Sequence, residues 1–550
     1  MLYRDICKIL GYYLLGLAVV LVVPLLLAAY YQWIADPMMH PQPHVTHAFF
    51  WSAASCLAIS FCCYQYGKHS IGHLYRREGL VAVVLIWFLT PVFAGLPFYL
   101  SGTLENPCHA FFEAASGFST AGATTMQAKK YDPRTGQEIP IERVFGGQQK
   151  TIYSYYGTIK PVVDPVTGKV LYEGIEAVGK ALLFWRSFTQ WLGGMGIVVL
   201  FVAILPALGI GGKRLFQAEI PGPIKDSLTP RIKETALQLW KIYLGLTAIL
   251  AGLLLVTNHE MSWLEVATVT LSTISTGGFT TRNASIGAFD NPFTDWIVMI
   301  FMVLGSINFS LYFFLLKGKF YRIYEPEFFL FIAILILGCG VVSWQLVGNP
   351  LVLLSGEKLG LMSIHDAIRY GSFQFISAMT TAGFATVDYD HWPYFVQVLM
   401  LIVMFIGGMS GSTAGGMKVI RQLMVFRIVQ YKCESLFRPE TLRFFKLGEK
   451  EVGSGASIMV LCYFVIVIAM MAFSTIFYVW DGIDPQTSLS LSTMMINNIG
   501  MGFRMASPME SCAFLSDFAL LFSSLLMIFG RLEFLAVLAV MVPAFWQKSK

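Results

Sequence analysis

Four short segments of the 550-residue chain hold the residue types that could replace the hydration shell of a cation: EAASGFSTAGATT at 113–125, TLSTISTGGFTTR at 270–282, FISAMTTAGFATV at 375–387 and TMMINNIGMGFRM at 493–505. With Gly122, Gly278, Gly383 and Gly500 in one column, the segments align without gaps. One residue earlier stand Ala121, Gly277, Ala382 and Ile499, and two earlier Thr120, Thr276, Thr381 and Asn498. Three earlier come Ser119, Ser275, Thr380 and Asn497, and four earlier the apolar Phe118, Ile274, Met379 and Ile496. Six earlier the first three copies have Ser116, Ser272 and Ser377, and the fourth departs with Met494. Glycine frees the backbone to turn its carbonyls inward, and Ser, Thr and Asn add side-chain oxygens. Rings of such neutral oxygens suit a monovalent cation that must bind and leave again. The carboxylate rings usual for divalent ions are absent. A polar turn between helices is the plainer reading of any one segment. Four segments in register argue against it.

The elements that must position these segments belong in a membrane. The chain is 56% hydrophobic and 13% charged, far more apolar than a water-soluble core of this size needs. Runs long enough to cross a bilayer fall near 10–32, 46–66, 80–100, 181–208, 234–256, 293–316, 327–348, 393–416, 454–479 and 514–546. The first is long, lacks a small-residue cleavage site and is followed by nine more, which speaks against a removable signal peptide. The connections 34–45, 258–292, 349–392 and 481–513 hold only Arg282, Lys358, Arg369 and Arg504, whereas the alternate ones are rich in Lys and Arg. By the positive-inside rule both termini are cytoplasmic, and only the long connection 126–180 departs. These loops account for the net charge of +5, so nothing calls for nucleic acid as a partner.

Each segment lies between two spans and must be re-entrant. Its first half, such as 105–117 or 486–496, has the length of a pore helix reaching mid-membrane, and its second half lines the path. The following spans share Gly193, Gly305, Gly407 and Gly530, so the repeat is a whole unit. The expected fold is an all-α polytopic membrane protein with four pseudo-symmetric helix, pore-loop, helix repeats around a central pore. Residues 1–70 form two extra transmembrane helices, and 71–210, 211–320, 321–452 and 453–550 are the repeats.

Several features break the symmetry. GGMSGSTAGG at 407–416 supplies Gly407, Gly408, Gly411, Gly415 and Gly416, and each glycine weakens a helix by ~1 kcal/mol relative to alanine. Close helix packing could use such small residues, but the density suggests an intramembrane loop that closes the pore. Arg531 stands where the other copies have Gly194, Ser306 and Gly408. Facing the cavity, it would repel a cation ~6 Å away by roughly 1–3 kcal/mol. An ion pair with Glu533 is the structural alternative, although residues two apart on a helix do not face one another.

The first repeat carries an insert, 126–178, with Asp-Pro-x-Thr-Gly at 132–136 and 164–168, which suggests β-hairpins in an outer cap. An insert without fixed structure is the alternative. Nine scattered cysteines read as packing residues, and only Cys108 and Cys512 lie where a disulfide could survive. The basic, apolar-interleaved stretch 418–452 reads as positive-inside charge or a helix on the lipid surface, with a partner's docking surface as the sharper alternative. No phosphate-binding loop is present, so this chain is expected to bind no nucleotide itself.

The four loops, GGMG at 193–196, GGMSGSTAGGMKVIR at 407–421 and GRLE at 530–533 resemble the Trk, Ktr and HKT potassium transporters, most closely the TrkH-type membrane subunit. The two leading spans also look like that type rather than the shorter KtrB type. The resemblance implies K+ as the transported ion, one pore per subunit, usually in a homodimer in the bacterial inner membrane, and control by a cytoplasmic nucleotide-binding ring of the TrkA type. Ser119 and the Asn497-Asn498-Ile499 run depart from the family's commonest pattern. A sodium-permeable or ion-coupled symporter (Na+ or H+) of the same fold therefore stays open. An embedded enzyme would need a nucleophile with its base or a metal cluster, and a scaffold would not need four such loops.

Overall fold

A backbone in lipid must satisfy its own polar groups, and the apolar runs accordingly wind into helices. The structure, a computed structural model, describes residues 3–70, 76–145, 150–164, 166–196, 232–437, 446–447, 450–451 and 454–547. Helices Tyr3–Trp33 and Thr46–Gly67 pack together ahead of the repeats. Each repeat then has a leading helix, a pore helix and a returning helix. These are Arg76–Leu100, Pro107–Ser119 and Lys180–Gly194 in the first, and Ile232–Thr257, Trp263–Ile274 and Pro292–Ser306 in the second. The third has Pro326–Leu346, Ile364–Met379 and Tyr394–Ile406, and the fourth Ser454–Trp480, Pro485–Asn497 and Asp517–Arg531. Three of the expected repeat boundaries, after 70, 210 and 452, adjoin or fall on residues outside the described ones.

The pore helices start where local chemistry dictates. Asn106, Ser262, Ser363 and Asp484 each cap the first turn with a side-chain oxygen, and Pro107 and Pro485 occupy the position where a missing N–H costs nothing. Ser262 with Glu265 and Ser363 with Asp366 close reciprocal capping boxes.

The repeats close into a ring. The returning helix of the first packs on the pore helix of the second, that of the second on the third, that of the third on the fourth, and that of the fourth on the first. No repeat completes its own surroundings.

Among the described residues six helices are long and apolar enough to span a membrane. The glycine run predicts a break in the third returning span, but the others also differ from continuous runs: all four helices stop within one residue of the shared glycine. In the second repeat the run 293–316 is two helices, Pro292–Ser306 and Phe309–Leu316, bent by 93°. In the fourth, positive φ at Glu533 and Phe534 separates Asp517–Arg531 from Leu535–Met541. In the first the helix ends at Gly194, and residues 197–231, which hold most of the remainder of the expected span 181–208 and of the loop 212–233, lie outside the described residues.

The insert forms three antiparallel hairpins, pairing Lys130–Tyr131 with Glu138–Ile139, Ile141–Phe145 with Thr151–Tyr155, and Val162–Val163 with Val170–Tyr172. Asp132 and Asp164 each accept a turn N–H and a threonine hydroxyl, while Gly136 and Gly168 take the left-handed positions. Cys108 and Cys512 are both free thiols. The stretch after the glycine-rich loop forms helix Val419–Phe437, and 438–445 lies outside the described residues.

Candidate ion filter and the loop beneath it

The four pore helices end alike. The N–H of Ala121, Gly277, Ala382 and Ile499 returns to the carbonyl of Ser116, Ser272, Ser377 and Met494 at 2.8–3.0 Å. In the first three copies the N–H of Thr120, Thr276 and Thr381 also reaches Gly117, Thr273 and Ala378, which completes a Schellman ending. That ending needs a left-handed residue, usually glycine. Here it is Thr120, Thr276, Thr381 and Asn498, with φ of 59°, 51°, 57° and 54°. Forcing a β-branched residue there costs roughly 1–2 kcal/mol each, a strain the surrounding packing must hold.

Gly122, Gly278 and Gly383 return to positive φ (76°, 86° and 79°) after one residue of negative φ. Alternating turn conformations gather carbonyls on one side of a chain as they gather N–H groups on the other. Gly500 is not left-handed, so the fourth copy departs in geometry as well as sequence. The column glycines close a ring. A Cβ on Gly122 would strike the Gly277 carbonyl, one on Gly278 the Ala382 carbonyl, one on Gly383 the Gly500 nitrogen at 2.7 Å, and one on Gly500 the Gly122 carbonyl group at 2.8 Å. Each pore helix also directs its C-terminal end, about half a negative charge, at this ring.

Side chains behind the ring hold each loop. The N–H three residues past the column glycine is taken by Glu113 in the first copy (Thr125, 3.2 Å), Gln374 in the third (Thr386, 2.8 Å) and Ser490 in the fourth (Phe503, 2.8 Å). Ser116 and Ser377 donate to the carbonyls of Ala123 and Phe384. The second copy is held from outside, by Gln190 on the first returning helix. Glu113 pairs with Arg186 at 2.7 Å, both side chains fully buried. Arg186 also donates to the Thr280 carbonyl and the Thr124 hydroxyl and lies over the Phe279 ring, joining the first two loops. Above the ring a cavity of about 260 Å³ opens between the loops, the insert and the segment 506–512.

Beneath it runs the glycine-rich segment. The Gly415 N–H donates to the Thr381 hydroxyl at 2.6 Å and the Gly416 N–H to the Asn497 carbonyl at 3.0 Å. Thr413 donates its hydroxyl to the carbonyls of Ile274 and Gly305. Positive φ at Gly407, Gly411 and Gly416 lets the chain fold back, with Gly408 packed against Ala414. Arg531 completes the floor: its guanidinium donates to Thr413 O (2.9 Å), Thr120 Oγ1 (3.2 Å) and the carbonyls of Gly193 (2.7 Å) and Gly194 (2.9 Å). Glu533 pairs with Arg421 at the base of the same loop. The column glycines with Ala121, Gly277 and Ala382 thus meet in one ring, Ser119, Thr120, Ser275, Thr276, Thr380, Thr381, Asn497 and Asn498 form the helix endings that lead into it, and the glycine-rich segment and Arg531 pack against those endings.

Glu113, Arg186 and Gln190 are missing from the sequence reading. Glu113 and Gln374 stand at equivalent positions, nine before the column glycine, and this was the available signal. Nothing in the sequence pairs Arg186 with Glu113.

The TrkH family model, described as a cation transport protein, matches residues 164–548. The Trk system potassium uptake protein TrkH of Escherichia coli (strain K12) is 32% identical over 563 aligned residues, covering 99% of this chain and all of its own. TrkH of Vibrio parahaemolyticus is 33% identical with both chains covered entirely, and TrkG of E. coli 30% identical over 87% of each. The crystal structure of the potassium transporter TrkH from V. parahaemolyticus superposes with a TM-score of 0.76 at 30% identity, covering 100% of both chains.

Proposed function

The chain belongs to the TrkH family of cation transport proteins, and we propose that the potassium uptake it carries out across a membrane passes through the ring at Gly122, Gly278, Gly383 and Gly500. The observation that carries this reading is the closed ring itself: four pore helices ending in the same hydrogen bond, with each column glycine too close to the next loop to accept a side chain. Backbone carbonyls at residues 119–122, 275–278, 380–383 and 497–500, with the hydroxyls and amides of that segment, supply the oxygens that replace water around K+. The segment 407–416 and Arg531 form the gate, because they occupy the floor directly under the ring and tie it to all four copies.

The finer assembly follows the same reading. Cytoplasmic placement of both termini fits the charge distribution, and a homodimer in the bacterial inner membrane is what the family resemblance implies. A TrkA-type nucleotide-binding subunit would act from the side of helix Val419–Phe437, which continues directly from the gate. The test is growth of a potassium-uptake-deficient bacterium at low K+. The chain should restore growth and the Gly383→Ala variant should not, since its Cβ meets Gly500 at 2.7 Å on a left-handed backbone. Full rescue by Gly383→Ala would remove the ring from the ion's path.

A further inference from the structure

The second loop reads S-T-G-G where the first and third read S-T-A-G and T-T-A-G. Gln190 explains the extra glycine. It projects, fully buried, from the first returning helix, and a Cβ on Gly277 would strike its side-chain amide. The amide makes two bonds: its nitrogen donates to the Gly277 carbonyl at 2.7 Å, and its oxygen accepts the Phe279 N–H at 3.1 Å. It also replaces the local support found elsewhere. Ser272, at the position where Ser116 and Ser377 reach forward to their own loops, has no hydrogen-bond partner for its buried hydroxyl.

We infer that Gln190 is a specificity-determining positioning residue, one that competes with the ion for the Gly277 carbonyl and so leaves the ring one residue below the column glycines with one ligand weaker than the rest. The inference rests on the loops being the filter. A carbonyl that accepts a hydrogen bond from a neutral amide behind the loop has less of its dipole to offer an ion, and the second bond, to Phe279, fixes the peptide planes on either side of Gly278. Copies one and three have Ala121 and Ala382 at the position of Gly277. No side chain of the other returning helices makes an equivalent pair of bonds among the described residues. The consequence concerns selectivity. A ring in which one oxygen is weakened discriminates less against the smaller Na+, because the larger ion depends more on a full set of ligands.

The test compares three variants of the full chain in proteoliposomes, measuring K+ and Na+ uptake separately. Gly277→Ala alone should abolish uptake of both ions, because the new methyl meets the Gln190 amide. Gly277→Ala combined with Gln190→Leu gives the second copy the sequence of the first and removes the competing donor. It should restore K+ uptake and raise the K+ to Na+ ratio at least about threefold over the starting protein. Gln190→Leu alone should raise the ratio in the same direction. Normal uptake by Gly277→Ala would overturn the packing argument, and a restored double variant with an unchanged ratio would overturn the selectivity argument. Gly383→Ala, run alongside, separates the two readings: if it transports normally the filter assignment itself fails, whatever Gln190 does.

Discussion

At the scale of single residues, the site relies on groups that work against their own preferences. Threonine is a poor choice for a left-handed position, and its use at Thr120, Thr276 and Thr381 places a hydroxyl where glycine would leave none. Composition therefore suggests the oxygens but conceals the backbone that carries them. The Glu113–Arg186 pair is hidden for another reason. Its partners are 73 residues apart, with the insert between them, and only the folded ring brings them together. The pair is fully buried, so removing one partner leaves a charge stranded. Arg186→Met should destabilise the protein by about 3–5 kcal/mol, because Glu113 loses its counter-charge while fully buried. Glu113→Gln should cost less, about 1–3 kcal/mol, since the amide oxygen can still accept the Thr125 N–H and Arg186 keeps the Thr280 carbonyl, the Thr124 hydroxyl and the Phe279 ring. Thermal unfolding in detergent would separate the two, and equal shifts would show that the pair contributes no buried electrostatics.

Elements were legible where the pattern recurs and illegible where it breaks. One column of four aligned glycines gave the pore helices and loops, because a unit that must pack around a common axis repeats its contacts. The breaks in the returning helices are another matter. In the third repeat the glycine run announces the interruption, but the bend after Ser306 lies within an apolar run. It depends on Asn308, whose side chain caps the next helix by accepting the Ser310 N–H. In the fourth, Glu533 and Phe534 take positive φ, which their residue types do not advertise. With all four helices stopping at one level, the floor beneath the ring is assembled from loop ends, and the segment 407–416 joins it through hydrogen bonds to the second, third and fourth repeats. Such a floor can open without unfolding a helix. Deleting 411–415, or replacing Arg531 with Gln, should raise basal K+ flux several-fold, in line with the ~1–3 kcal/mol a facing charge imposes. The deletion removes the contacts to Thr381, Ile274 and Gly305, and the substitution removes the charge while leaving the loop in place. Flux into proteoliposomes is the measurement, and no change in either variant would exclude this floor as the gate.

At the scale of the whole molecule, the insert closes on the outside what the helices close within the membrane. It leaves the first repeat and lands on the fourth. Arg143 pairs with Glu510, Tyr155 donates to the same carboxylate at 3.1 Å, and Tyr153 donates to Asp484, the cap of the fourth pore helix, at 2.7 Å. Burial, reinforced by the neighbouring Glu510, pushes the Tyr155 phenol well above its usual range, so it stays a donor across physiological pH. Glu510 also lines the cavity above the ring, which makes Arg143 the counter-charge that quiets a carboxylate at the mouth of the proposed pore. Replacing Arg143 with Gln should leave Glu510 in place, still held by Tyr155, but with its charge unmasked toward the cavity. K+ would then accumulate at the mouth, and the KM for uptake should fall by roughly two- to fivefold at low ionic strength. The gain should shrink as salt rises, because a Debye length of about 30 Å at 0.01 M contracts to about 8 Å at 0.15 M. A lowered KM that ignored ionic strength would point to a change in the ring's geometry. An unchanged KM at every salt concentration would mean that the hairpin braces the fourth pore helix through Tyr153 and Asp484 without setting the charge an approaching ion meets.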